Sequence, residues 1–304
     1  METGIFSWIA FICFIFILLA VDLRIGGKNS HEINYKEAMA WSGIWISLAM
    51  LFNGGVFYLL GKDKGLEFLT GYLLEYSLSV DNIFVFILLF AFFDVPKKYQ
   101  KKVLFWGIIG AIIMRGLLIT VGAALMAQFD WIIYIFGIFL VITGIKMALQ
   151  KSEKPEPEKN PIVRIFKKYF PVSAHYEKDK FFVKHKTGLL ATPLFIVLLI
   201  VESTDLVFAF DSIPAILAIT RDPFIVFTSN AFAILGLRSL YFALAGFMDK
   251  FEYLRVGLSI ILVFIGLKML VSSYIHITTL VSLGIIAGVL FLAVIFSVLT
   301  EKNK

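Results

Sequence analysis

Nine apolar stretches, each long enough to cross a bilayer as helix, leave this chain little choice of architecture. They fall at about 4–23, 38–61, 68–93, 103–129, 131–150, 189–219, 223–248, 256–274 and 277–299 of the 304 residues. A hydrocarbon core about 30 Å thick takes roughly 20 residues of helix, and inside it the backbone must satisfy its own hydrogen bonds. The expected fold class is therefore an all-α polytopic membrane protein of about nine transmembrane helices. With 60% hydrophobic and 16% charged residues, the composition excludes an ordinary soluble domain.

The remaining charges sort by loop. A net charge of +6 would suit a nucleic-acid binder, but the bases occupy alternate connections. Arg24, Lys28 and Lys36 form one group, Lys97, Lys98, Lys101 and Lys102 the next, and ten Lys or Arg lie between 151 and 188. Lys250, Arg255, Lys302 and Lys304 complete that set, whereas the other connections hold only Lys62, Lys64 and Arg221. By the positive-inside rule this is topology, with the N-terminus outside and the C-terminus cytoplasmic. No nucleic-acid partner is expected. The first span has no basic leader and no small-residue cleavage site, so it reads as a retained helix. A single cysteine, Cys13, excludes an internal disulfide framework and a cysteine-based zinc site.

One linker, 151–188, opens "KSEKPEPEKNP", a composition that cannot form a packed core. Its middle, "PIVRIFKKYFP", is basic and amphipathic, and reads equally as a short helix on the anionic inner leaflet or as a solvated loop. The segments flanking the linker resemble each other. "SVDNIFVF" (79–86) aligns with "STDLVFAF" (203–210), placing Asp81 on Asp205, and "DVP" (94–96) has a counterpart in "DP" (222–223). Arg115 falls beside Arg238, and "GIKM" (144–147) beside "GLKM" (266–269). Three spans per repeat, an odd number, make the repeats inverted. The expected divisions are two N-terminal helices (1–67), a first three-helix repeat (68–150), the linker (151–188), a second repeat (189–274) and a last helix with a short tail (275–304). In such folds the substrate site lies near the midplane, on interrupted helices.

The acids sit on the first helix of each repeat. Glu75, Asp81, Glu202, Asp205 and Asp211 would together cost on the order of 12–18 kcal/mol if charged and unpaired. Arg115 and Arg238 can neutralise two of them as structural pairs, while Lys146 and Lys268 lie near enough to helix ends to reach the interface. The excess negative charge calls for a cation. At about 100° per residue, Glu75, Ser79 and Asn82 share one helix face, with Ser77 and Asp81 on another. Glu202 and Asp205 are neighbours, but Asp211 lies opposite Glu202. Pro214, which lacks an N–H and clashes with the Phe210 carbonyl, predicts a kinked or unwound stretch near 208–214 that could re-aim Asp211. The donors on these helices are carboxylates, Asn82 and the hydroxyls of Ser77, Ser79, Ser203, Thr204 and Ser212. Such hard oxygen ligands suit Mn²⁺, Mg²⁺ or Ca²⁺.

"LLEYSLSVDNIFVF" followed by "VESTDLVFAFDSIPA", with "VDL" in the first helix and "TPL" at 192–194, resembles the TerC/Alx family over nearly the whole chain. The resemblance implies an inner-membrane metal transporter related to the lysine-exporter superfamily. It implies metal handling by Glu75, Asp81 and Asn82 in the first repeat and Glu202, Asp205 and Asp211 in the second. On this reading the chain exports Mn²⁺ as substrate, without an organic cofactor and without enzymatic activity. Asp81 and Asp205 would coordinate the ion, Ser79, Ser203 and Thr204 would support it, and Glu75 or Asp211 would carry a counter-transported proton. The rival reading is a membrane scaffold or chaperone that supports metalation of partner proteins docked on the 151–188 loop.

Overall fold

The computed structural model describes residues 4–27, 35–129, 131–149, 161–173, 175–185, 188–244, 253–272, 274–275 and 277–301. Helices α1 (Ile5–Gly27) and α2 (Tyr35–Leu60) lead into α3 (Lys62–Phe92), α4 (Lys97–Gln128) and α5 (Ile132–Leu149). A short helix α6 (Pro161–Tyr169) and a hairpin, β1 (Phe182–His185) with β2 (Gly188–Ala191), precede α7 (Pro193–Leu217), α8 (Pro223–Leu244), α9 (Leu254–Leu270) and α10 (Thr279–Glu301). Seven of these, α2–α5, α7, α8 and α10, are long and apolar enough to cross a membrane, and α1 and α9 carry the shorter apolar stretches Ile5–Val21 and Val256–Leu270. Together they occupy the nine expected spans.

Local chemistry sets the ends of the helices. Gly61, at φ 96°, lets the chain reverse between α2 and α3 through one residue. Asp94 takes a left-handed φ of 46° in the turn before α4, a conformation that short polar side chains tolerate. Asp222 caps α8, its Oδ1 accepting from the Phe224 amide at 3.0 Å, and Pro193 and Pro223 stand where a helix has no use for the missing N–H.

Packing makes α8 the centre. It is buried over 83% of its span, against 17% for α10, and it packs on α2, α3 and α4. The peripheral helices turn apolar side chains such as Leu51, Ile113, Leu117 and Phe291 outward, as lipid-facing helices do. Backbones of α5 and α9 cross in contact. A Cβ added to Gly266 would meet the Gly137 carbonyl at 2.7 Å, and one added to Gly144 would meet the Ser259 carbonyl at 2.8 Å. Small residues are what permit such an approach inside a bilayer. The pairing is reciprocal under the sequence repeat, since Gly144 also faces Val263 where Gly266 faces Val141. Because 137 meets 266 while 144 meets 259, the two helices run antiparallel. Exchanging α3 with α7, α4 with α8 and α5 with α9 likewise turns the α3–α8 contact into the α4–α7 contact.

The opening of the linker, 151–160, lies outside the described residues, but its later part is folded. Val163 and Phe166 of α6 join the core with Val172, Tyr176 and Phe181, and Phe182 packs its ring 4.5 Å from that of Phe195 on α7. The amphipathic stretch is thus a helix docked on the bundle, not a solvated loop. The Tyr176 hydroxyl donates to the Phe93 carbonyl at 2.7 Å, and Lys102 Nζ donates to the Asp179 carbonyl at 2.6 Å. The result is a cap joining the α3–α4 turn to the start of α7. Strand β2 takes residues 189–191 from the expected start of the sixth span.

The expected unwinding of the acid-bearing helices is not found. Both acid-bearing helices are continuous, and Pro214 lies within α7, in its last turn. Pro214 gives up the bond to the Phe210 carbonyl, and the helix nevertheless continues through it to Leu217.

Candidate functional site

Arg115 is the largest side chain wholly enclosed by the fold, 1% exposed on α4. An isolated guanidinium there would be prohibitively desolvated, so its partners define the site. Nη2 donates to Asp205 Oδ1 at 2.9 Å and Nε to Asp205 Oδ2 at 3.2 Å, a side-on bidentate pair with α7. Nη1 pairs with Glu75 of α3, and reaches Asn230 Oδ1 of α8 at 3.0 Å and Ser212 Oγ of α7 at 3.4 Å. Asn230 completes the ring by donating Nδ2 to Glu75 Oε2 at 3.2 Å, and Ser79 Oγ lies 3.5 Å from Glu75 Oε1. One carboxylate from each half and one cation, tied by a neutral amide, make a closed polar network in an apolar interior.

Helix geometry explains who takes part. Ser79 lies one turn beyond Glu75 on the face anticipated for it, and Asn82, 3% exposed, continues that buried face. Ser203 and Thr204 both donate to the Ile200 carbonyl, at 2.9 and 2.7 Å, so their hydroxyl protons serve their own helix. Asn230 was not anticipated. Its signal was available as the run Thr228-Ser229-Asn230, three buried polar residues in the otherwise apolar first half of α8.

Glu202 stands one turn before Asp205 but outside this network. Its Oε2 is buried without a hydrogen-bond partner. The carboxylate fills the space above Gly110 of α4, where an added Cβ would overlap it. Val201 similarly closes on Gly107, 3.2 Å from an added Cβ. Glycines on α4 thus make room for an acid that the fold leaves unpaired.

Other expected members are elsewhere. Asp211 is half-buried toward α5, with the Thr143 hydroxyl and Lys146 as its polar neighbours. Since α7 is unbroken, Asp211 keeps the opposite face and does not join Asp205. The Asp81 side chain lies outside the described residues, although its backbone belongs to α3. Arg238 does not join Arg115. It is half-buried two turns beyond Asn230 and, with Asp205, supplies the charge in a small, mainly apolar cavity that includes Phe86, Gly107 and Val201. Glu75, expected to carry a proton, is committed to Arg115 and Asn230. Among the described residues, no three His, Cys, Asp or Glu side chains gather as a ready metal cage. Where such a cage would be centred, between Glu75 and Asp205, lies the Arg115 guanidinium.

Two acid-bearing helices meeting at one buried cation narrow the field to membrane proteins built around paired carboxylates, and a family model decides it. The model described as "Integral membrane protein TerC family" matches residues 60–304. The chain belongs to the TerC family. Relatives match end to end. An "Uncharacterized membrane protein STKORF319" of Myxococcus xanthus is 47% identical over 296 residues, covering 97% of this chain and 93% of its own. A protein of Escherichia coli strain K12 named "Putative membrane-bound redox modulator Alx" is 46% identical over 299 residues, covering 95% of this chain and 93% of its own. An "Uncharacterized membrane protein" of Rickettsia bellii is 41% identical, covering 98% of both chains. No solved structure matches the chain. Membership of this TerC family agrees with the resemblance carried by the two acidic motifs.

Proposed function

We propose that this TerC protein is a secondary transporter that exports a divalent metal cation, Mn²⁺ in the first instance, across the bacterial inner membrane, with its N-terminus outside. The observation that carries the reading is the convergence of Glu75 from the first repeat and Asp205 from the second on one buried cationic group. Arg115 stands in that position. A hard cation entering between the same carboxylates would find oxygen donors from Glu75, Asp205, Asn230 and Ser212, the set that Mn²⁺ accepts. Glu202 is the one described acid with a buried oxygen and no donor. Such a carboxylate takes up a proton or a cation, which makes Glu202, rather than Glu75 or Asp211, the candidate for proton exchange against the metal.

The antiparallel, repeat-related crossing of α5 and α9 supports two inverted repeats, and with them alternating access by rocking of one half on the other. The cap over the α3–α4 turn, on the cytoplasmic side in the expected topology, would be the element that has to yield at that end. The relatives named Alx are called redox modulators. With one cysteine in this chain, such an effect here would run through metal supply rather than an internal dithiol.

The test is total cell metal after a Mn²⁺ load, at matched expression, for wild type, Asp81→Asn, Asp205→Asn and Glu202→Gln. Lower manganese with wild type and not with the variants is the expected result. Equal manganese in all, with every protein folded, would sink export and leave the second reading, a scaffold for metalation of partner proteins. The folded cap, with its exposed basic helix α6, is the specific feature that favours that alternative. Antiport has its own check: metal flux in vesicles should fall when the pH gradient is collapsed at fixed potential.

A further inference from the structure

We infer that the end of the bundle opposite the α6 cap holds a binding site for a phosphate group, best suited to the headgroup of an anionic phospholipid. A cavity of about 1110 Å³ opens there among the α4–α5, α7–α8 and α9–α10 turns. Its charged side chains are Arg221 and Lys268, its neutral donors include Gln128, Ser272, Thr278 and Thr279, and no carboxylate lines it among the described residues.

Lys268 is what makes this more than a basic surface. Its side chain is half-buried and its Nζ donates to Ser282 Oγ at 2.9 Å, a neutral partner. The ion pairs among the described residues include neither Lys268 nor Arg221. Its repeat counterpart Lys146 has Asp211 as a charged neighbour, but the residue aligned with Asp211 in the first repeat is Ile87. The repeat-related position thus keeps the base, Lys268 on α9, but α3 of the first repeat lacks the acid that would face it. An ammonium withdrawn from water without a counter-charge is costly, and an anion arriving from outside the chain removes that cost.

The surroundings choose among anions. Two cationic side chains and several hydroxyls suit a tetrahedral oxyanion with multiple acceptor oxygens. Phe129, Trp131 and Tyr134 border the same cavity and are substantially exposed. Aromatic rings concentrate at the level of lipid headgroups, so they offer a shelf for acyl chains beside the charged pocket. Asp130 and His276 belong to the turns that bound the cavity and lie outside the described residues. The site does not depend on the transport reading.

The experiment uses the full-length protein, purified in an uncharged detergent and stripped of co-purifying lipid. Its thermal unfolding midpoint is followed while phosphatidylglycerol, phosphatidylcholine or inorganic phosphate is added. Phosphatidylglycerol should raise the midpoint at lower concentration than phosphatidylcholine. Lys268→Gln with Arg221→Gln should weaken that response at least about tenfold, the loss expected for charge-assisted hydrogen bonds, and Lys268→Arg should retain it. Protection by inorganic phosphate alone, to the same extent, would support the site with a soluble source. Equal protection of wild type and the double variant, or none of wild type, would overturn the inference. So would protection that appears only in Asp130→Asn, because Asp130 would then be the counter-charge.

Discussion

Arg115→Met is the most informative single change, because it removes the stand-in cation and leaves its two carboxylates in place. Taking one partner from a buried ion pair costs about 3–5 kcal/mol. Here one guanidinium serves Asp205 through two bonds, Glu75 through a third, and Asn230 as well, so the upper end, about 5 kcal/mol, is expected. That is comparable with the whole net stability of many domains, and the variant should melt far below wild type. Two further proteins separate the electrostatic account from simple loss of packing. Adding Glu75→Gln and Asp205→Asn to Arg115→Met removes the uncompensated charge, and should recover most of the loss, since neutral replacement of a buried pair is often tolerated. Adding Mn²⁺ to the single variant should also recover stability, by about 2.7 kcal/mol at a hundredfold excess over its dissociation constant, and should do nothing for the triple variant. The five tryptophans provide a fluorescence signal for all three melts. A single variant that melts with wild type, or Mn²⁺ acting equally on the single and triple variants, would refute the stand-in argument.

Three further outcomes follow from local geometry. Gly110→Ala drives a methyl into the Glu202 carboxylate and should abolish metal extrusion. Gly43→Ala on the open face of α2 should leave it intact. Gly266→Ala sets a Cβ 2.7 Å from the Gly137 carbonyl, where backbone has to give way, and should cost about 1–3 kcal/mol, read as a lowered melting midpoint beside an unchanged Gly288→Ala control. Burial, with Asp94 alongside, pushes the Tyr176 hydroxyl up to about 12, from about 10 in an unfolded chain. Its contribution to holding the cap is therefore complete below about pH 10 and lost as pH rises through about 12. Proteolysis of the cap should increase over that window in wild type, whereas Tyr176→Phe should be cut more readily at neutral pH and show a flatter alkaline response.

How much of this was legible depended on which physical rule set the feature. The nine spans were, because bilayer thickness and backbone satisfaction act on composition alone. That Arg115 would be paired with buried acids was legible too, because a buried charge in lipid must be paired, but that it takes one acid from each half was not. Spacing along one helix, however, says which residues share a face and not which neighbour meets it. That is why Glu75, Ser79 and Asn82 were grouped correctly while Asn230, on another helix, was missed. Pro214 misled because the residues around it, Ser212 to Leu217, are buried and held in the helix by packing that spacing along the chain does not reveal. The hairpin was hidden because Phe182 and Val183 fell in a linker read as unfolded, while the apolar Leu189 and Leu190 read as the start of a span.

Charge balance ties the described parts of the site together. Glu75 and Asp205 contribute two negative charges against the one of Arg115, and Glu202 adds a third negative charge nearby. These four groups carry a net charge of −2 when all the acids are ionised, and Arg238, which lines the cavity beside Asp205, brings the described cluster to −1, so an entering cation or proton still meets net negative charge. Arg115 holds the two halves together, because it pairs with a carboxylate from each without neutralising them fully. On the proposed transport reading, an incoming ion need not displace a matched pair. It has only to complete an unfinished one, at Glu202 and the carboxylate oxygens Arg115 shares, and glycines along α4 keep that space open. A fully neutral site would have held the halves together but given a cation no reason to enter. A site without Arg115 would have drawn the cation in and given it little reason to leave.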